Sequence, residues 1–264
     1  MIFDLHNDFP TKLPPDKFGE YCRDAQTTIT AAIWTTELEN ARVRLAETVK
    51  ALRGDAKCRR MPIAVEDLGF LYEGGAYKTF DYSDFAYCSL TWNYDNGFAG
   101  GALDAGGLTD AGRELIELMN GKCAIDLAHL NKKSFYAALE HAQRPCCSHT
   151  GFNEHPRSLD DAQVRELLAR HAPIGLCTVT AICGADSFSR FVAVIDGFVQ
   201  KYGQDGVDCL AFGSDFNGST DIPADVCDYA ALDSVGFELI RLGYDCESVD
   251  KIKYRNAARL CGRG

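Results

Sequence analysis

The chain has 264 residues, 46% of them hydrophobic and 25% charged, which suits one large globular domain with an ample core. A formal net charge of −11 argues against nucleic acid or an anionic membrane as the main partner. No apolar run approaches the ~20 residues of a bilayer span, and no secretion signal follows Met1. A soluble, cytoplasmic protein is therefore expected.

The expected strands are continuous apolar runs, the pattern of parallel strands buried on both faces. Ile2–Asp8 is the first and Thr28–Thr35 the second. A helix over Thr36–Arg53 carries Leu38, Ala41, Leu45, Val49 and Leu52 at helical spacing. Strands Pro62–Glu66 and Phe85–Trp92 come next, and the Gly- and Tyr-rich text between them (Glu73-Gly74-Gly75-Ala76-Tyr77) leaves room only for a short helix. Helix Thr109–Asn120, strand Cys123–His129, helix Lys132–His141 and strand Pro145–His149 follow in turn. Helix Asp160–His171 has Asp160 as an acidic N-cap. Strand Pro173–Thr180, helix Ser187–Tyr202 and strand Cys209–Asp215 complete the alternation, and helices Tyr229–Leu242 and Ser248–Cys261 close the chain.

Eight strands with intervening helices favour a single (β/α)8 TIM-like barrel domain over residues 1–264, with additional C-terminal helices. A doubly wound open sheet is the alternative, but no Gly-x-Gly-x-x-Gly follows the first strand. The twelve cysteines have no regular spacing and no CxxC. Several (Cys88, Cys123, Cys147, Cys177, Cys209) sit in apolar runs and read as buried reduced thiols. The adjacent Cys146-Cys147 has two readings, a redox or metal-binding pair and a strand buried on both faces.

The strand ends carry the chemistry. His6 and Asp8 are two apart, so on a strand they point to one side. Later runs end in Val65-Glu66-Asp67, Asp126-Leu127-Ala128-His129, Ser148-His149-Thr150 and Gly213-Ser214-Asp215-Phe216. Singly, each has a plain reading: a satisfied core histidine, a solvated acidic pair, a helix cap. Yet four of the six histidines (His6, His129, His149, His155) fall at a strand end or just beyond one. In a β/α barrel those ends gather at one face, and imidazoles mixed with carboxylates there suit a two-metal hydrolase.

Eight stretches occur in one order through nearly the whole chain: Asp4-Leu-His-Asn-Asp8, Ile63-Ala-Val-Glu66, Leu90-Thr-Trp-Asn93, Gly107-Leu-Thr-Asp-Ala-Gly112, Ile125-Asp-Leu-Ala-His129, Ser148-His-Thr150, His155-Pro-Arg-Ser158 and Phe212-Gly-Ser-Asp-Phe216. In these the chain resembles the membrane (renal-type) dipeptidases, zinc-dependent barrel enzymes that hydrolyse dipeptides. The resemblance implies two zinc ions. His6 and Asp8 would bind the first, Glu66 would bridge both, and His129 and His149 would complete the second. Asp215 matches the acid that handles protons on the attacking water and the leaving amine, the nucleophile being a metal-bridging hydroxide. Arg157 matches the arginine that helps hold the substrate, a task suited to a guanidinium fork.

Two positions depart from the family. Mammalian members have His, thought to polarise the scissile carbonyl, where Trp92 offers an indole N–H. Two glycines usually follow the bridging Glu, where Asp67-Leu68 stand here. The implied partner is a small-molecule dipeptide, dipeptides with a C-terminal D-residue included. A homodimer follows from the resemblance alone, and other divalent metals also suit such a ligand set. Two further readings stay open: another amidohydrolase acting on a cyclic amide, lactam or lactone, and a catalytically weak metal-binding barrel.

Overall fold

The computed structural model describes residues 1–22, 24, 26–36 and 39–262; Leu38 lies outside the described residues. Its strands are β1 (Ile2–Asn7), β2 (Thr27–Trp34), β3 (Ile63–Glu66), β4 (Tyr87–Ser89), β5 (Ala124–Asp126), β6 (Pro145–Thr150), β7 (Ile174–Leu176) and β8 (Leu210–Phe212). They follow chain order round a closed parallel barrel. Apart from the ends of β2, every strand position is buried. Burial on both faces is why these runs read as continuously apolar instead of alternating.

The strands begin where the sequence places them, within two residues, but β4, β5, β7 and β8 end early. A left-handed backbone at His129 (φ 67°) and Asp215 (φ 62°) cannot continue a pleat. After β5 the Ala128 N–H donates to Asp126 Oδ1 (3.1 Å), a side-chain-made turn that starts the departure. His129 and Asp215 thus sit on turns just past their strands.

The chain divides into two compact units. The first comprises Met1–Asn7, Asp24–Thr30 and Cys147–Gly264. It holds β1, β7, β8, most of β6, and the helices Asp161–Ala169, Phe188–Cys209 and Tyr229–Arg241. The expected helix Ser187–Tyr202 continues to Cys209, but Gly203 (φ 60°) interrupts it where the sequence predicts its end. In place of one uniform helix over Ser248–Cys261, a π turn Lys251–Arg255 lies between two α-helical segments, Cys246–Asp250 and Asn256–Leu260. Buried Asn256 anchors the last of these, its amide donating to the carbonyls of Val207 and Leu210, each at 2.7 Å. Asp160 caps its helix as expected: Oδ1 accepts from Gln163 N (2.8 Å), and Gln163 Oε1 accepts from Asp160 N (3.1 Å).

Close backbone approach fixes the interior beside β6. A Cβ on Gly175 or on Gly213 would stand 1.9 Å from the Ser148 carbonyl oxygen, so only glycine fits at either place.

The second unit comprises Asp8–Arg23 and Ala31–Cys146. It holds β3, β4, β5, half of β2, and the helices Ala41–Gly54, Asp110–Met119 and Lys132–His141. The connection after β3 contains only the short 3₁₀ turns Gly69–Leu71 and Glu73–Lys78, as its glycines suggest. Thr109 caps the helix it precedes, its Oγ1 accepting from Gly112 N at 3.0 Å.

Nine of the twelve cysteines are buried thiols, Cys146 and Cys147 among them. Burial pushes the Cys88 and Cys177 thiols well up. Both residues of the Cys146-Cys147 pair point into packed interior, the reading of a strand buried on both faces. Among the described residues no helix is long and apolar enough to cross a membrane.

Two substitutions separate these contributions. Asp160→Ala removes one cap and should cost about 1 kcal/mol. Gly175→Ala forces a methyl against backbone and should cost on the order of 3 kcal/mol. Urea denaturation of each variant checks both; equal small losses would mean that β6 and β7 part easily.

Candidate metal centre

In the first unit β1 presents His6, β6 presents His149, and the turn after β8 presents Asp215. One ligand atom from each of the three lies within 4.8 Å of the others. The two imidazole centroids are 3.8 Å apart. Ser148 stands beside both rings, its Oγ 2.8 Å from His149 Nδ1 and 3.4 Å from His6 Nδ1.

Arg157, on the loop beyond β6, is buried, with Nη2 2.9 Å from His149 Nε2. A guanidinium cannot accept, so Nε2 must. A neutral His149 therefore carries its proton on Nδ1, toward Ser148. The Arg157 backbone is held as well: its N–H donates to His155 Nδ1 (3.2 Å), and its carbonyl accepts from Thr150 Oγ1 (3.0 Å). Partial burial and then the Arg157 charge hold the His155 imidazole below its usual range.

Asp4 braces this set from behind. Its Oδ1 accepts from Ser214 N (2.7 Å) and His6 N (3.2 Å), and its Oδ2 accepts from Ser214 Oγ (2.6 Å) and Tyr229 OH (2.7 Å). Complete burial pushes the Asp4 carboxyl up, while these four donors pull it back. Next to them the Asp215 N–H donates to the His6 carbonyl (3.1 Å). Tyr229 also accepts from Asn7 Nδ2 (2.7 Å), and Asn217 Nδ2 donates to Asn7 Oδ1 (3.0 Å).

The second unit gathers the other half of the expected ligands. Asp8 lies just past β1, Glu66 ends β3, and His129 follows β5. Carboxylate oxygens of Asp8 and Glu66 lie within 4.8 Å of each other. His129 Nε2 is 2.6 Å from Glu66 Oε1, with both side chains 5% exposed. On its other side His129 Nδ1 is 2.8 Å from Asn93 Oδ1, an oxygen that can only accept. Nδ1 therefore carries a proton, and a neutral His129 turns a lone pair toward a carboxylate oxygen. Two acceptors at 2.6 Å require a positive species, either a second proton on the ring or a metal ion. Divalent zinc takes this nitrogen-and-oxygen ligand chemistry, so the residues present fit a metal.

Trp92 is half-buried, its ring 6.0 Å from that of His129 and 5.0 Å from that of Trp34. Asp67 has a left-handed backbone (φ 71°) and is buried. Its carboxylate accepts from Thr36 Oγ1 (2.6 Å), Gly69 N (2.8 Å) and Asn96 Nδ2 (2.9 Å). Burial, with a smaller contribution from the Glu66 charge, pushes its carboxyl above the ordinary carboxylate range against those bonds.

Of the residues expected from sequence, His6, His149 and Asp215 converge in the first unit, with Arg157 on His149. Asp8, Glu66 and His129 gather in the second, with Trp92 beside His129. Asp4, Ser148, Ser214, Tyr229 and Asn93 were not singled out as functional. Asp4 had a usable signal, since Asp4, His6 and Asp8 alternate along one strand face. Tyr229 had none, its partner being 225 positions away.

The model of the membrane dipeptidase family (peptidase family M19) matches residues 17–263. No curated protein matches the sequence. Among solved structures, a dipeptidase AC described as a metallopeptidase of family M19 superposes with a TM-score of 0.83 at 19% identity, covering 99% of this chain and 98% of that one. A metallopeptidase from Rhodobacter sphaeroides, liganded with a phosphinate mimic of the dipeptide L-Ala-D-Ala, gives 0.78 at 19% identity, with 99% and 98% covered. A probable dipeptidase, PvdM, from Pseudomonas aeruginosa gives 0.81 at 14% identity, with 100% and 95% covered.

Asp4→Ala would strand several buried donors at once. It should cost about 3 kcal/mol of stability, whereas Tyr229→Phe, which removes one hydroxyl, should cost about 1 kcal/mol. Chemical denaturation of the two variants measures this; an Asp4→Ala loss no larger than that of Tyr229→Phe would deny Asp4 its bracing role.

Proposed function

The chain belongs to the membrane dipeptidase family and is a metal-dependent peptidase, and from that premise we propose that it hydrolyses dipeptides at a two-zinc centre. In this reading His6, Asp8, Glu66, His129 and His149 would be the residues that hold the metal. The observation that carries the proposal is the buried 2.6 Å contact of His129 Nε2 with Glu66 Oε1, under an Asn93 bond that leaves Nε2 as an acceptor. The convergence of His6, His149 and Asp215 within 4.8 Å supports it independently. Bound divalent ions in such a set acidify water to a pKa of about 7 and offset developing negative charge.

The chain's own residues supply the remaining work. Asp215, with its carboxylate beside His6 and His149, would take a proton from the attacking water and return it to the departing amine nitrogen. Its left-handed backbone and its N–H bond to the His6 carbonyl fix it relative to that ligand. Asn93 orients His129 by accepting from Nδ1, and Ser148 does the same for His149.

Arg157 would bind the substrate carboxylate. His149 Nε2 has one lone pair, so the bond from Arg157 Nη2 and a bond to a metal exclude each other. A metal on Nε2 would release that guanidinium edge for a carboxylate. Trp92, beside His129, would offer the scissile carbonyl one neutral indole N–H, a weaker donor than a protonated His in that place.

The Rhodobacter sphaeroides structure holds a mimic of L-Ala-D-Ala, which supports including dipeptides with a C-terminal D-residue. A cytoplasmic location belongs to the same proposal, supported by the buried thiols, which suit a reducing compartment.

Zinc-loaded protein should bind about two zinc ions per chain and cleave members of a dipeptide panel that includes L-Ala-D-Ala. Glu66→Gln should lose metal and reduce kcat/KM more than about 100-fold. Asp215→Asn should keep its metal and lose about 10²–10⁴-fold in kcat. Metal analysis with steady-state kinetics decides; turnover of cyclic amides, lactams or lactones with none of dipeptides would reassign the reaction.

A further inference from the structure

The second unit contains a cavity of about 400 Å³ beside Trp92, within the size range of small-molecule sites. Phe70, Trp92 and Tyr94 give it aromatic walls, and Asp67, Glu73 and Asp95 bring carboxylates to it. Among the described residues no lysine, arginine or histidine lines it.

Asp67 is its most constrained member, only 8% exposed and held at φ 71°, a backbone state uncommon outside glycine. Its Oδ1 accepts two bonds, from Gly69 N and Asn96 Nδ2, and is saturated. Its Oδ2 accepts the Thr36 hydroxyl, which leaves one acceptor direction on a buried carboxylate that lines the cavity. The three bonds also fix where that oxygen stands, because they come from the loops after β2, β3 and β4.

We propose that this cavity receives one side chain of the substrate, and that Asp67 makes it selective for a side chain ending in a cation, the amine of lysine or the guanidinium of arginine. The proposal rests on the dipeptidase reading above, since Asp67 directly follows Glu66 and the Trp92 ring lies 6.0 Å from that of His129. The Asp67 and Trp92 walls of the cavity thus adjoin Glu66 and His129, where the dipeptidase reading puts the peptide bond. The chemistry of the walls makes the choice. A lysine or arginine stem can lie along Trp92 and Tyr94, whose faces attract cations, while its head donates to Asp67 Oδ2. An aliphatic side chain would leave that oxygen desolvated without a donor, and an acidic one would meet carboxylates of its own sign.

The test compares kcat/KM of the zinc-loaded protein on dipeptides in which lysine, arginine, leucine or glutamate is paired with alanine at either position. The expected result is a preference of about tenfold or more for lysine or arginine over leucine at one position, with glutamate poorest. In Asp67→Asn that ratio should fall close to one. Should Asp67→Asn fail to fold, Tyr94→Ala, on an exposed wall, should lower the same ratio about threefold. Cleavage of dipeptides without a cationic preference, or a preference that the folded variant keeps, overturns this proposal and leaves the dipeptidase reading standing. Cleavage of no dipeptide in the panel overturns both.

Discussion

A carboxylate shut away from water has to be met by donors or by a cation, and the region around both candidate ligand sets is organised by that requirement. Asp4 satisfies it with four donors from three parts of the chain, and in doing so ties β1 to the Ser214 turn and to the helix beginning at Tyr229. Asp67 meets it in part, with three donors from successive loops. Glu66 meets an imidazole that Asn93 has already committed to the acceptor tautomer. Asp4 is a structural joint, because four neutral donors suffice for it, whereas Asp67 keeps one acceptor direction on the wall of its cavity. Glu66, facing an acceptor nitrogen, calls for positive charge, which sets this candidate ligand apart from Asp4.

The barrel was legible because its strands are buried on both faces. A continuous apolar run leaves one side-chain set for the core and the other for the helices, and an eightfold alternation of such runs with helices admits few arrangements. The candidate ligand residues were legible because each stands near the end of its run or on the turn just beyond it. What could not be read was where each strand stops. His129 and Asp215 continue apolar runs in the text, yet both have left-handed backbones, a state that depends on local partners such as the Asp126 side chain. The C-terminal helix failed in the same way: one amphipathic period is present, but the buried amide of Asn256, bonded to Val207 and Leu210, goes with a π turn that periodicity cannot foresee.

The supports of the site were harder to read than its ligands. A ligand is recognised by residue type at a strand end, whereas Ser148, Ser214 and Tyr229 act through one hydroxyl each, and hydroxyls are common everywhere. Position Asp67 shows the converse. As text it is only an extra acid beside Glu66; its bonds to Thr36, Gly69 and Asn96, and its place on the wall of the Trp92 cavity, are set by the fold.

Arg157 draws these strands together. In the structure its guanidinium supplies the positive charge that sits on His149 Nε2, and that nitrogen has a single lone pair. A metal at that nitrogen and Arg157 are therefore alternatives. The arginine is buried, and its backbone is held by His155 and Thr150. Such an exchange would make the guanidinium available to a substrate carboxylate only once the metal is in place. Substrate recognition through Arg157 and metal occupancy of His149 would then be one linked equilibrium, in which each favours the other by the same free energy.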